Sequence, residues 1–189
     1  ALLARITSIE DDSEGEGKGH GLDRTFPHDL SRTDRPTAAV RMTPTGTELV
    51  LDAAKAAVKG ERLGLDSTPD LLGVSISSHD YAGHYWGQES WERLDLLLRL
   101  DRTLGDFLAF LDQEIGSDHY AVVVTSDHGA NPLPERSRAN GKSAHRVSTL
   151  RMVQIAGAAA NEVLSKGRWV VACAAWSFYM RDEFATLPP

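Results

Sequence analysis

A long amphipathic segment between two short apolar runs constrains the fold of this chain more than any other feature of its sequence. Residues 90–115 place leucine, phenylalanine and isoleucine at steps of three and four, which predicts one long helix. Ser90 is the predicted N-cap of this helix, and Gly116 is its predicted stop. The runs at 71–77 and 120–125 are apolar without alternation, which is typical of strands buried on both faces. The sequence therefore predicts a strand, a long helix and a second strand in succession.

Further helices and a third strand extend this alternation in both directions. Residues 46–59 and 147–165 are predicted to be helices, and residues 169–175 form another short apolar run. Strands that alternate with helices of this length usually pair in parallel through right-handed crossovers. We therefore predict an α/β fold with a mostly parallel sheet flanked by helices.

Composition divides the chain into three regions. Residues 10–44 are rich in Asp, Glu, Gly, Ser, Thr and Pro, and their alternating glycines favour a long, flexible loop. Residues 46–135 form the predicted core that carries the candidate motifs, and residues 136–189 form a helix–strand extension. The length of 189 residues fits about one domain. A first residue other than Met and a Leu-Pro-Pro end lead us to expect that both ends are cuts.

The composition also limits the partners and the chemistry. A formal net charge of −7 argues against a general nucleic-acid binder and against a binder of acidic membranes. No run approaches 18 consecutive apolar residues, so the sequence predicts no membrane-spanning segment. Cys173 is the only cysteine, which excludes an internal disulfide bond and a cysteine-rich zinc site.

Charged residues follow each of the first two predicted strands. Asp80 and His84 lie in a predicted loop after the first strand, and Asp127 and His128 follow the second. Because the carboxyl ends of parallel strands share one edge of a sheet, these four side chains should converge. Two carboxylates and two imidazoles without a thiolate suit Zn²⁺ or a similar divalent ion. Either loop alone is more often a surface turn, so the metal-site hypothesis depends on their combination.

Two other residues offer weaker hypotheses. His145 lies among basic residues and is a metal ligand, a phosphate contact or a solvated surface group. Ser126 lies close to His128, but no G-x-S-x-G elbow surrounds it. A serine-triad hydrolase is therefore poorly supported.

Several short motifs lie between about residue 26 and residue 134. They are Thr43-Pro44, Gly46, Glu48-Leu49, Ser78-His79-Asp80-Tyr81-Ala82-Gly83-His84, Gly87, Arg99-Leu100-Asp101 and Thr125-Ser126-Asp127-His128-Gly129. Together they resemble the alkaline phosphatase superfamily. The resemblance is to the bacterial single-chain, zinc-dependent phosphatases that are grouped with type I phosphodiesterases and nucleotide pyrophosphatases. It implies that the chain is an incomplete piece of one alkaline-phosphatase-like α/β domain.

The resemblance implies a set of metal ligands. Asp80 and His84 would bind one zinc ion, and Asp127 and His128 would bind the other. The family also needs an early Asp, a Thr or Ser nucleophile and a late His, which we expect in the remainder of the same polypeptide. No catalytic residue is therefore expected in this chain, and we expect little or no turnover from it alone. His79 stands where a small hydroxyl residue is expected, and it would either crowd the site or supplement it.

The function implied is the hydrolysis of small phosphate esters by a two-metal phosphomonoesterase, through a Thr or Ser phospho-enzyme. A phosphodiesterase or nucleotide pyrophosphatase of the same superfamily is the alternative within this chemistry. A metal-free, non-catalytic α/β binding module is the alternative from another class. The resemblance also implies a periplasmic or secreted parent protein.

Overall fold

Helices make up most of the regular structure of the chain. The computed structural model describes residues 8–175 and 177–186, so the two ends that we interpreted as cuts lie outside the described residues. The helices are α1 (Pro36–Val40), α2 (Pro44–Glu61), α3 (Ser78–Trp86), α4 (Trp91–Glu114), α5 (Pro134–Ala139) and α6 (Thr149–Val163). The strands are β1 (Val170–Ala174) and β2 (Ser177–Met180), and short 3₁₀ helices lie at Leu30–Arg32 and Asp182–Thr186.

The chain divides into two units by its internal contacts, residues 1–142 and residues 143–189. The first unit holds α1 to α5, and the second holds α6, β1 and β2. Among the helices of the described residues, none combines the length and the hydrophobicity that crossing a bilayer requires.

The three predicted long helices are confirmed as α2, α4 and α6. The Ser90 side chain accepts a hydrogen bond from the Arg93 amide and caps α4 as predicted. Gly116 ends the helix with a φ of 101°, and its amide donates to the Leu111 carbonyl at 3.3 Å. A left-handed residue of this kind is favoured when it is glycine, so the sequence located this end correctly.

Two hydrophobic clusters hold the first unit together. One joins α2 to α4 through residues that are all less than a tenth exposed: Leu51, Ala54, Val58, Phe107 and Leu111. The other joins α1, α3 and the start of α4 to the preceding segment through Leu22, Ala39, Met42, Ala82, Trp86 and Leu96. Trp86, at the end of α3, is 1% exposed and is the largest side chain in the second cluster. α3 is therefore held on one face by an apolar anchor.

The first two predicted strands are not formed. Residues 71–77 and 120–125 carry no strand assignment in the described part of the chain. A strand exists only when its backbone hydrogen-bonds to a neighbour, and neither segment has such a neighbour there. Residues 73–77 still alternate between exposed and half-buried side chains, as a half-covered strand would. Leu71, Val123 and Val124 are 97%, 88% and 79% exposed, so these apolar runs lack a covering layer in this chain.

The third predicted strand is confirmed as β1, but its pairing differs from the prediction. β1 pairs antiparallel with β2, with Ala174 opposite Ser177 and Cys173 opposite Phe178. This hairpin is the only sheet among the described residues, so they contain no parallel pairing. The apolar pattern located β1 but not its pairing partner. The partner is the next segment of the chain, in a hairpin, and not one of the other predicted strands.

The predicted long loop at 10–44 is more ordered than expected. It contains α1 and the 3₁₀ helix Leu30–Arg32. Its glycines serve close packing rather than flexibility. The Gly17 amide donates to the Tyr85 carbonyl at 2.6 Å, and a Cβ at Gly19 would lie 2.9 Å from the Met42 methyl carbon.

Candidate metal centre

A helix, rather than the predicted loop, presents Asp80 and His84. α3 covers Ser78–Trp86, and Gly87, with a φ of 91°, ends it by donating to the Gly83 carbonyl at 3.0 Å. The two side chains are four residues apart and therefore lie on one face of the helix. Asp80 Oδ2 is 3.3 Å from His84 Nε2. The weak helix propensity of Ser, His, Asp, Tyr and Gly explains why the sequence did not indicate this helix.

Close packing at Gly46 fixes the start of α3. A Cβ at Gly46 would lie 2.8 Å from Ser78 Oγ and 2.7 Å from the Val40 carbonyl oxygen. Ser78 is buried at the first position of α3. The N-terminal part of α2 therefore sets the position of the helix that carries Asp80 and His84.

The second pair of predicted ligands lies on an exposed turn. Ser126 Oγ donates to the His128 carbonyl at 2.6 Å, and the His128 amide donates to Asp127 Oδ1 at 3.0 Å. His128 Nε2 lies 3.6 Å from Asp127 Oδ2 and 3.8 Å from Asp80 Oδ1. The structure thus brings the two sequence motifs together, with Asp80 next to both imidazoles.

Hydrogen bonding sets the protonation of His128. Its Nδ1 donates to the Gly129 carbonyl at 2.9 Å, and because a carbonyl can only accept, Nδ1 carries the proton. This bond is the main cause of a raised pKa of His128, and the charges of Asp127 and Asp80 add to it. The arrangement directs Nε2 towards the carboxylates, as is usual for a metal-binding histidine whose other nitrogen bonds a carbonyl.

The four side chains fit zinc by chemistry but do not form a complete coordination sphere. Two ligands of a tetrahedral zinc ion lie about 3.3 Å apart, close to the distance between Asp80 and His84. Within residues 8–175 and 177–186, however, no group of three or more His, Cys, Asp or Glu side chains is arranged to hold a metal ion. All four side chains are also substantially exposed, from 41% for Asp80 to 90% for Asp127. The chain therefore supplies pairs of donors.

Arg93 is a neighbour of the site that sequence reasoning missed. Its Nε donates to His79 Nε2 at 3.1 Å, and its guanidinium also contacts the other ring nitrogen. Burial, followed by the Arg93 charge, lowers the pKa of His79. The Arg93 side chain crosses α3 at Gly83, where a Cβ would lie 3.2 Å from Arg93 Cδ. His79 and Arg93 are 14 positions apart in the chain, and no motif in the sequence indicated the contact.

Two other features lie apart from the predicted ligands. His145 is exposed and belongs to the second unit. A small pocket, partly open to solvent, is lined by Glu16, Trp86, Glu89, Arg136 and neighbouring residues. None of the four predicted metal ligands lines this pocket.

Comparison with known proteins identifies the family. Residues 20–176 match the model of the family described as type I phosphodiesterase / nucleotide pyrophosphatase. Because the match covers most of the chain, the protein belongs to this family, within the alkaline phosphatase superfamily.

Individual relatives are similar to this chain over part of their length. The alkaline phosphatase PafA of Elizabethkingia meningoseptica is 42% identical over 126 residues, which are 65% of this chain and 23% of that protein. A protein of Myroides odoratus named calcium-transporting ATPase is 44% identical over 115 residues, 59% of this chain and 21% of that protein. The chain thus spans about a fifth of the length of these relatives.

A solved structure confirms the fold class. The crystal structure of wild-type PafA matches with a TM-score of 0.81 and 31% identity, over 97% of this chain and 36% of that one. The chain therefore has part of an alkaline-phosphatase-like α/β fold, as predicted. The predicted parallel pairing at 71–77 and 120–125 is absent from the described residues all the same.

Proposed function

We propose that this chain provides part of the metal centre of a phosphoester hydrolase, with both of its units belonging to one alkaline-phosphatase-like domain. The observation that carries the proposal is the approach of Asp80 to both His84 and His128, at 3.3 and 3.8 Å. Membership of the type I phosphodiesterase / nucleotide pyrophosphatase family supports it.

The two donor pairs have distinct roles in the proposed centre. Asp80 and His84 would hold one zinc ion from a single face of α3, and Asp127 and His128 would hold a second from the turn at 126–129. The hydrogen bond from His128 Nδ1 to Gly129 orients that ring. Zinc held by these pairs would supply activation of a nucleophile and stabilisation of charge on a phosphoryl group.

The chain contributes ligands rather than a nucleophile. We propose that a Thr or Ser nucleophile, a further Asp and a further His belong to the rest of the polypeptide, and that this chain alone turns over little or no substrate. The substrates proposed for the whole protein are small phosphate esters. We also propose, on resemblance alone, that the whole protein is periplasmic or secreted.

A phosphodiesterase or nucleotide pyrophosphatase activity is the second candidate. The description of the matching family favours it. Mono- and diesters share the same metal chemistry, so the ligand pairs support both activities equally.

The test uses the full-length protein purified without chelator. Wild type, Asp127→Ala and the control Asp106→Ala, which changes an exposed carboxylate on α4, are assayed for zinc content. Each is also assayed with p-nitrophenyl phosphate and with bis-p-nitrophenyl phosphate. We expect bound zinc in wild type and the control, and a loss of at least about 100-fold in activity in Asp127→Ala. The ratio of the two activities decides between monoesterase and diesterase.

A specific result would overturn the proposal. Wild-type protein without zinc, together with unchanged hydrolysis by Asp127→Ala, would leave the metal-free binding module as the better description. Zinc retained by Asp127→Ala at the wild-type stoichiometry, with unchanged activity, would reject Asp127 as a ligand.

A further inference from the structure

Residues 9–28 dock on α3 and α4 through hydrogen bonds to two indoles. Trp86 Nε1 donates to the Asp23 carbonyl at 3.0 Å, and Trp91 Nε1 donates to the Ile9 carbonyl at 2.8 Å. Leu22 is buried against Trp86 in the same hydrophobic cluster. We call residues 9–28 the docked segment. Its attachment therefore combines apolar burial with bonds to the ends of α3 and α4.

Two carboxylates are buried where the docked segment meets α4. Glu16 is 7% exposed and Glu92 is 4% exposed. Oε2 of each is buried and has no hydrogen-bond partner among the described residues. Oε1 of Glu92 lies 2.8 Å from His28 Nε2, whose ring stacks on Trp86 with centroids 4.6 Å apart. Unpartnered buried carboxylate oxygens are costly when the group is charged.

The surroundings give Glu16 little positive charge. Its charged form is opposed first by burial and then by Glu92, with smaller contributions from Asp12 and Asp11, while the Ser13 backbone favours it. Asp12 is paired with Arg24, and Asp11 accepts from the Phe26 amide at 3.0 Å.

The pocket beside Glu16 adds further charged groups. Glu14 and Glu89 line it, as does Arg136, whose Nε lies 2.6 Å from Glu89 Oε2. Arg136, the cation among these lining residues, is thus already paired with Glu89. Because the pocket opens to solvent, Glu16 has a route for exchanging a proton with water.

We propose that Glu16 holds a proton when the segment is docked beside Glu92, and that loss of this proton to solvent weakens docking of residues 9–28 on α3 and α4. A proton on Glu16 removes its charge, which ends the repulsion from Glu92 and lowers the cost of burying an oxygen without a partner.

The direction of the pH effect follows from linkage. Burial, and next the Glu92 charge, raise the pKa of Glu16 from its ordinary value of 4.5 to about 7. A group with a raised pKa in the docked state stabilises docking fully below its ordinary pKa. The stabilisation declines between pH 4.5 and about 7 and is lost above that pH. Docking is therefore tight in mild acid and loose in mild base.

Exchange of the indole N–H protons measures docking directly in the whole chain. Trp86 and Trp91 report on the segment, whereas Trp169, which donates to the Ser165 carbonyl in the second unit, supplies a reference. Dividing the Trp86 and Trp91 rates by the Trp169 rate cancels the common base catalysis. We expect this ratio to rise at least about tenfold between pH 5 and pH 8.

Two variants with the same change of charge separate the proposal from a general effect. Glu16→Gln, which cannot ionise, should keep a low and constant ratio across this pH range. In Glu14→Gln, which changes an exposed neighbour, the ratio should rise as it does in wild type.

Two outcomes overturn the proposal: a constant ratio in wild type, or a rise of the ratio in Glu16→Gln as large as in wild type. If Glu16→Gln does not fold, the wild-type ratio alone decides. Recovery of the low ratio on adding calcium chloride at pH 8 would instead assign the pair to cation binding and also overturn it.

Discussion

Oδ2 of Asp80 lies 3.3 Å from Nε2 of His84, one turn further along α3. The other oxygen of the same carboxylate lies 3.8 Å from His128 Nε2 on the turn at 126–129. Asp80 is therefore the side chain through which the two donor pairs meet.

Asp80→Asn should weaken zinc binding by the chain at least about tenfold, because an amide oxygen replaces the carboxylate that lies next to both imidazoles. Asp106→Asn on α4 is the matched control and should bind zinc as wild type does. Calorimetric titration with zinc chloride measures both. Equal zinc affinity in Asp80→Asn and the control would contradict the prediction.

Gly46→Ala and Gly60→Ala should have opposite effects on stability, although both lie in α2. A Cβ at Gly46 would lie 2.7 Å from the Val40 carbonyl oxygen, which cannot move without the backbone, so we expect a loss of about 1–3 kcal/mol. Nothing lies within 4 Å of a Cβ at Gly60, where alanine should stabilise by about 0.5–1 kcal/mol. Urea unfolding of the two variants gives the comparison. A stabilised Gly46→Ala would show that α2 can shift away from α3.

His28→Ala should destabilise the chain by about 3 kcal/mol. The substitution removes the partner of Glu92, whose side chain is 3% exposed, and leaves that carboxylate buried without it. It also removes the ring that stacks on Trp86. Arg99→Ala breaks a more exposed ion pair, with Asp95 at 2.9 Å, and should cost less than about 1 kcal/mol. Similar losses in the two variants, measured by urea unfolding, would refute a special role for His28.

Tyr120 should ionise above the ordinary tyrosine value of about 10. Its hydroxyl donates to Asp112 Oδ1 at 2.7 Å, and this hydrogen bond is the main cause of the raised pKa of Tyr120. Since the bond needs the protonated phenol, its stabilising effect is present below pH 10 and is lost as the pH rises through the higher folded value. NMR titration of the tyrosine Cζ signals should show Asp112→Asn lowering this pKa. The exposed Asp106→Asn should leave it unchanged, and a shift of equal size there would exclude a specific effect of Asp112.

The sequence predicted those elements whose causes are local. α4 was predictable because its apolar stripe, its Ser90 cap and its Gly116 stop all lie within the segment itself. α3 was not, since its residues are poor helix formers and its stability depends on the burial of Ala82 and Trp86 against distant residues. The two missing strands failed for a related reason, because a strand requires a pairing partner that periodicity cannot supply.

The same distinction applies to the candidate site. Asp80 and His84, or Asp127 and His128, are near neighbours in the chain, so a motif can indicate them. The contacts of His28 with Glu92 and of His79 with Arg93 join residues 64 and 14 positions apart, and no short motif contains both partners. The two ligand pairs lie close together, but two strand ends at one sheet edge are not the cause. A helical turn, rather than a strand end, presents the first pair.

The uncovered run at 120–125 has a consequence for handling this chain by itself. Tyr-Ala-Val-Val-Val-Thr contains no charge, proline or glycine, and Val122, Val123 and Val124 are 51%, 88% and 79% exposed. Uncharged, β-branched windows of this length stack readily between molecules in cross-β assemblies. In solution the isolated chain should therefore self-associate through this window as its concentration rises, and a charged residue at Val123 should raise its solubility.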